Sequence, residues 1–215
     1  MKNFLIIGMG EFGKHIAEEL DRLGNDVFII DKEKVKIEEL SDKFHDTFIG
    51  DCTKSGVLKE LGVSAFDMCV VAIGEDFQSS LEITAQLKEL GAKYILAKAS
   101  SEIQCKFLKM AGADETVYAQ RDIAAKLAVK YNASNVFDFI ELGDDYSIYE
   151  FMVSRWTGKT IQELDVRNKF NINIVAIKNP NGEMAVPDAK YEFSQGDHAI
   201  VFGKKKDIDK LAKKI

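Results

Sequence analysis

No apolar run in this 215-residue sequence comes near the roughly 18 residues needed to cross a bilayer. The longest unbroken stretches, such as residues 70–73 within MCVVAIG, have the length of buried strands. A basic excess is missing too. Lysine and arginine number 29 against 35 aspartates and glutamates, for a formal charge of −6. Nucleic acid and anionic lipid both call for a positive surface, so neither is an expected partner. Cysteine is scarce. Cys52, Cys69 and Cys105 are odd in number and widely spaced. That excludes a disulfide framework or a zinc site as an expectation and favours a reducing compartment; no metal site is expected. Internal repeats and low-complexity tracts are absent. The N-terminal MKNFLIIGMGEFG runs straight into a glycine motif, so it does not read as a signal peptide.

What is present is a rhythm. Strand-like runs at 4–7, 27–30, 47–49, 68–73, 94–97 and 116–118 alternate with segments of helical spacing. Phe12, Ile16, Leu20 and Leu23 define one face of a helix over 11–23, and Leu81, Ala85, Leu87 and Leu90 define another. Short apolar strands alternating with amphipathic helices imply βαβ units, hence an α/β fold with a Rossmann-like, doubly wound parallel sheet. A further helix is expected over 120–131, then a polar loop at 132–135. Strands follow at 147–153, 172–177, 184–186 and 199–202, with a turn at Asn179-Pro180-Asn181-Gly182 and a closing helix over 204–215. The expected domains are 1–134, including the 120–131 helix, and a small α+β domain at 135–215.

Gly8-Met9-Gly10-Glu11-Phe12-Gly13 is a G-x-G-x-x-G placed directly after a strand and at the opening of a helix, the context that gives the motif meaning. Gly8 serves the tight turn, Gly10 the approach of a pyrophosphate, and Gly13 close helix–strand packing. The helix N-terminus adds free N–H groups and a partial positive charge. Asp31, with Lys32 beside it, ends the second strand, where a carboxylate accepts from ribose hydroxyls and repels a 2′-phosphate. Gly50-Asp51-Cys52-Thr53 follows the third strand, at the edge expected to hold adenine. Asp51 is placed there to face the base, or else Asp51 or Thr53 is a helix N-cap. Ala72-Ile73-Gly74 ends the fourth strand and is expected to border the ligand. Lys98, at the end of the fifth, is placed to meet phosphate or to form a surface ion pair.

Catalytic groups are harder to find. His15, His45 and His198 lie far apart, the first on a helix and the other two in apparent loops, all expected at the surface. Tyr94 and Lys98 match a Y-x-x-x-K spelling, but on a strand four residues separate them by about 13 Å, against about 6 Å on a helix. The last 80 or so residues offer no catalytic pair. A nucleotide-binding domain without a reaction is expected to work by ligand-dependent conformational change. The alternative, a small NAD-dependent oxidoreductase, needs an acid or base beside the nicotinamide, and none presents itself.

In order along the chain stand GMGEFG, IIDKEKVKIEEL, IGDCTKSGVLKELGV, VVAIGEDFQSSL and AKASSEIQCKFLKMAGADETVYAQRDIAAKLA. GKTIQELDVRNKFNINIVAIKNPNG and FSQGDHAIVFGKKKDIDKL follow. Together they resemble the RCK family of cytosolic potassium-transport regulators, its KtrA and TrkA types, and the KtrA type above all. The resemblance implies a non-enzymatic, nucleotide-sensing subunit that gates a membrane potassium-translocating partner of the KtrB or TrkH type. It implies a homodimer assembling into a ring, commonly an octamer, with the 120–131 helix crossing between lobes. It also implies a cytoplasmic location at the inner face of the membrane through that partner, and ADP, ATP, AMP or NAD(H) as ligand. In the C-terminal domain it implies cyclic di-AMP near Arg167, Asn173, Ile174 and Pro187. Two departures stand out. Glu11 replaces an arginine that meets the terminal phosphate of ATP in KtrA relatives, and Gln120 replaces a cation-binding glutamate. Two like unit charges about 5 Å apart at an effective dielectric of 20 repel by about 3 kcal/mol, so the resemblance implies weakened ATP preference here. The other reading of Glu11 is a first-turn carboxylate favoured by the helix dipole.

Overall fold

A computed structural model describes residues 1–54, 56–132, 136–143 and 145–214 of the chain. It divides into two compact units, Met1–Asp122 and Ile123–Ile215. The division falls inside a helix; the expected boundary near residue 135 lies outside the described residues.

The first unit is a parallel sheet. Its strands are β1 (Asn3–Ile7), β2 (Asp26–Asp31), β3 (Asp46–Ile49), β4 (Met68–Val71), β5 (Ile95–Lys98) and β6 (Glu115–Val117). Their order is β3-β2-β1-β4-β5-β6, the doubly wound arrangement with its switch point between β1 and β4. Period-two alternation explains why both faces are covered. Leu5 and Ile7 of β1 join one buried cluster with Val71 and Ala97, while Phe4 and Ile6 join another with Ile29 and Val70. The helices between strands are α1 (Glu11–Arg22), α2 (Lys34–Glu38), α3 (Val57–Glu60), α4 (Phe77–Glu89) and α5 (Glu102–Met110). Helix α6 (Ala119–Asn132) follows β6 and carries the division between the units.

Two helix faces depart from expectation. In α1, Phe12, Ile16 and Leu20 pack inward around the small residues Gly13 and Ala17, but Leu23 caps the helix and is exposed. In α4 the fully buried stripe is Ser80, Ile83, Thr84 and Leu87, so of the expected face Leu87 is at its centre while Leu81 and Leu90 pack half-buried at its margin. Burial of Thr84 is tolerable because its hydroxyl donates to Ser80 O at 2.7 Å.

The second unit is an antiparallel sheet of β7 (Val136–Leu142), β8 (Tyr146–Met152), β9 (Ile172–Lys178), β10 (Met184–Ala185) and β11 (His198–Lys204), in the order β10-β9-β11-β8-β7. Helices α7 (Ile161–Leu164), α8 (Val166–Phe170) and α9 (Lys205–Ala212) complete it. Its core gathers Phe139, Phe151, Trp156, Phe193 and Val201, with Ile208 and Leu211 of α9. His198 is not a loop residue. It opens β11, is 13% exposed, and its Nδ1 lies 2.5 Å from Glu150 Oε1, which also accepts from Lys178 Nζ at 3.1 Å. The polar loop expected at 132–135 begins with Asn132 still in α6; the remainder lies outside the described residues.

Candidate functional site

Four chain segments leave the carboxyl ends of β1 to β4 on the same edge of the sheet and enclose a cleft of about 350 Å³. This is the edge where open α/β sheets bind ligands, at the switch point. Backbone hydrogen bonds lock the strand ends in place. The Gly8 N–H donates to Ile30 O at 2.8 Å, Gly50 N–H to Asp31 O at 2.9 Å, and Ala72 N–H to Ile7 O at 2.8 Å.

The three glycines of the first turn do different work. Gly8 sits at φ +97°, and a Cβ there would lie 2.9 Å from Ile73 Cγ1. At Gly13 a Cβ would fall 1.9 Å from Gly8 O, so only glycine lets the first turn of α1 pass this close to the turn below it. Gly10 is neither strained nor crowded: a Cβ would meet nothing within 4 Å. Gly10 lines the cleft, so the room left there is room for a ligand. Met9, by contrast, is buried in the core beneath the sheet's α1 face, and neither it nor Phe12 nor Gly13 borders the cleft. Their part is to set the turn.

Asp31 is buried, and both of its carboxylate oxygens are engaged. Oδ2 accepts from the Met9 N–H at 2.6 Å and Oδ1 from the Glu33 N–H at 2.8 Å. Each oxygen has a second lone pair, so acceptance from a ribose hydroxyl remains open. Lys32 and Glu33 line the cleft beside it, with Lys36 one turn into α2. Lys36 Nζ pairs with Glu33 at 2.6 Å and stands 3.9 Å from Asp31 Oδ2. The Glu33 hydrogen bond, and then the Asp31 charge, hold its ammonium pKa above the usual lysine range.

Asp51 turns back on its own loop. It accepts from the Thr53 hydroxyl at 2.7 Å and the Thr53 N–H at 3.0 Å. The Thr53 hydroxyl is the main cause of a carboxyl pKa below the ordinary aspartate value. The helix-cap reading of Asp51 fails, because α3 starts at Val57 behind Gly56. Cys52 is buried against the cleft, and desolvation pushes its thiol up to about 12, so it is a neutral wall and not a nucleophile.

Ala72, Ile73 and Gly74 form the wall after β4. Gly74 has a specific partner: a Cβ on it would lie 2.8 Å from Lys98 Nζ. Lys98 therefore reaches over Gly74 into the cleft, with its ammonium 5.8 Å from the centroid of the Phe12 ring. Among the described residues no carboxylate comes within ion-pair distance of it, so its surface-ion-pair reading is not what the structure holds. Tyr94 is at the opposite end of β5, where its hydroxyl donates to Glu115 Oε2 at 2.8 Å, so the Y-x-x-x-K spelling assembles nothing. Glu11, first in α1, lines the cleft mouth with a side chain 93% exposed, and among the described residues its one ion-pair partner is His15, at 3.8 Å.

Glu33, Lys36, Glu75, Asp76 and Ser79 also line the cleft and were not anticipated. One of them had a readable signal. Asp76 precedes α4 in a D-x-x-S pattern, and it caps that helix by accepting from the Ser79 N–H at 3.1 Å.

Residues 4–119 match the TrkA-N domain and residues 148–215 the TrkA-C domain. Over 215 residues the chain is 39% identical to Ktr system potassium uptake protein C of Bacillus subtilis (strain 168), covering 100% of this chain and 97% of that one. The chain belongs to the TrkA-N/TrkA-C family of potassium uptake proteins. Ktr system potassium uptake protein A of the same organism is 33% identical over 211 residues, 98% of this chain and 95% of that one. Among solved structures, the GsuK channel bound to NAD superposes with a TM-score of 0.70 at 18% identity, over 96% of this chain and 38% of that one. This last likeness is one of fold.

In the TrkA-C domain, Arg167 is exposed on α8, and Asn173 and Ile174 lie on β9, exposed and half-buried respectively. Pro187 follows β10, the strand that pairs with β9. Ile174 packs against the domain core. Asn173 and Ile174 lie opposite Phe202 and Val201 of β11, while β10 pairs with the far end of β9 at Ile177 and Lys178, so the structure does not by itself gather the four residues into one site. Among the described residues, no helix is long and apolar enough to cross a membrane, and no group of three or more histidine, cysteine, aspartate or glutamate side chains is arranged to hold a metal ion.

Proposed function

We propose that this TrkA-N/TrkA-C protein is a nucleotide-sensing regulatory subunit of a potassium uptake system, acting on a membrane potassium-translocating partner through ligand-dependent conformational change. One observation carries the nucleotide half of this reading: Gly10 faces open space at the mouth of a helix N-terminus, between Asp31 on one side and the ammonium of Lys98 on the other. A ribose fits against Asp31, and phosphates against the first N–H groups of α1 and Lys98. Adenine then extends toward Asp51 and Cys52. The kinship with Ktr potassium uptake proteins supports the transport half.

In this reading the nucleotide supplies no chemistry. It supplies differential binding free energy between two conformations, which is all a ligand needs to shift their populations. The two domains, 1–134 and 135–215 in this reading, divide the labour, the first sensing nucleotide. The second takes a further ligand of the cyclic di-AMP type at Arg167, Asn173, Ile174 and Pro187. Assembly into a homodimer and then a ring, at the cytoplasmic face of the membrane, brings the sensors to the partner.

Titration calorimetry with AMP, ADP, ATP and NAD(H) tests the first half, and chromatography of the recovered nucleotide tests whether it is consumed. Potassium uptake in cells that carry the membrane subunit, with and without this chain, tests the second. Absence of binding to every nucleotide, steady conversion of the bound one, or uptake indifferent to the chain would each refute the reading.

A further inference from the structure

We propose that Glu11 makes the cleft a site for nucleotides with two phosphates, ADP or a dinucleotide, and turns away the third phosphate of ATP. The proposal rests on the nucleotide-sensing reading above and adds to it a specificity determinant.

The cations of the cleft are unevenly placed. Lys36 is held at the ribose end by Glu33 and Asp31. Lys32 lies where its charge acts on Asp51 and Asp76. Of the three lysines that line the cleft among the described residues, Lys98 is the one at the glycine turn, over the Phe12 ring and against Gly74. The phosphate end therefore offers one ammonium and the leading N–H groups of α1. Together these suit the charge of a pyrophosphate.

Beyond that point the charge changes sign. Glu11 directly follows Gly10, so a phosphate chain that continues past the first turn of α1 runs toward its carboxylate. Among the described residues no lysine or arginine comes within 4 Å of Glu11, and the His15 ring nitrogen at 3.8 Å offsets it only when protonated. The lining as a whole has six carboxylates against three lysines, so the cleft's own charge adds to the repulsion. A neutral or less charged extension, such as the second ribose of a dinucleotide, meets no such penalty.

The test is calorimetric titration of the full-length chain in EDTA with ADP, ATP and NAD. The wild type is compared with Glu11→Gln and Glu11→Arg, and each variant's melting temperature is checked for folding. Wild type is expected to bind ATP roughly tenfold or more weaker than ADP, with NAD close to ADP. Glu11→Gln narrows the ATP to ADP gap, and Glu11→Arg closes or inverts it. ATP binding as tight as ADP in the wild type, or an ATP to ADP ratio the same in all three proteins, would overturn the proposal while leaving nucleotide sensing intact. No binding of any nucleotide to the wild type would instead remove the underlying reading, and this proposal with it.

Discussion

The Met9 amide donates to Asp31 Oδ2 across 22 residues of sequence and 2.6 Å of space, so the carboxylate that ends β2 also holds the turn that leaves β1. A residue expected only to meet ligand thus has a second, structural task. Removing it strands a buried N–H at Met9, which costs about 1–3 kcal/mol. Asp31→Ala is therefore expected to lower the unfolding free energy of the ligand-free protein by about that amount in urea denaturation. In the proposed reading, the same substitution is also expected to weaken nucleotide binding, which calorimetry checks. An Asp31→Ala protein as stable as the wild type would mean that the Met9 contact contributes nothing.

Gly10 and Gly13 separate binding from folding. Alanine at Gly13 drives a Cβ to 1.9 Å from a backbone oxygen, and backbone cannot swing aside. Gly13→Ala should destabilise by on the order of 3 kcal/mol or more, or prevent folding. Alanine at Gly10 meets only open space, at an ordinary φ of −75°. Gly10→Ala should stay within about 1 kcal/mol of wild-type stability, because restriction of the unfolded chain is offset by alanine's poorer fit than glycine's at the N-cap of α1. Its Cβ enters the volume assigned to phosphate, so nucleotide binding should fall by roughly a hundredfold or more. Thermal melting and calorimetry on the two variants read these effects independently.

The parts of this site that the sequence announces are the local ones. A glycine turn, its strand and its helix are contiguous, and Asp31 is placed by the length of one βα unit. Glu33, Lys36 and Asp76 reach the cleft only because separate loops converge at one sheet edge, and nothing in their own neighbourhoods says so. The fold shows the same division. Strands β1, β2, β4 and β5 are largely apolar runs buried on both faces and are readable as such, whereas the edge strands β3 and β6 are short, part-polar and exposed or half-buried. Strand β7 is not, because a bulge between Val136 and Asp138 breaks its alternation, and the buried residues become Val136 and Phe139, three apart. Helix α8 is masked likewise: its flanking residues Asp165 and Asn171 take positive φ of 47° and 57°, where glycine is the usual marker.

Asp51 gives a pH dependence with a definite sign. Its folded-state pKa lies below the ordinary aspartate value, chiefly through the Thr53 hydroxyl. The ionised form is thus favoured in the folded chain. The stability it contributes is fully present above about pH 4 and is lost as pH falls through the lowered folded value. Asp51 is about a third exposed, and solvent screening keeps that contribution small. The cleaner readout is the titration itself. In carbon-detected NMR the Asp51 carboxyl should titrate below the usual range in wild type and move up in Thr53→Ala. A midpoint unmoved by loss of the hydroxyl would contradict the hydrogen bond as cause.

Gly74 and Lys98 are the last coupled pair. The ammonium reaches the cleft across the space that a side chain on residue 74 would fill, with its Nζ at 2.8 Å and Cε at 3.1 Å from the notional Cβ. The crowded atoms are the far end of a flexible side chain, so Gly74→Ala should fold normally while displacing Lys98. If Lys98 pairs with phosphate, Lys98→Met should weaken ADP binding by roughly tenfold or more, about 1.4 kcal/mol, and leave adenosine almost unaffected. Gly74→Ala should move ADP affinity in the same direction by a smaller factor. The salt dependence of ADP binding should flatten in both, because the charge that salt screens has been removed or moved. Calorimetry of ADP and adenosine at two ionic strengths measures all of this. Equal losses for ADP and adenosine would assign Lys98 to the shape of the cleft and not to its charge.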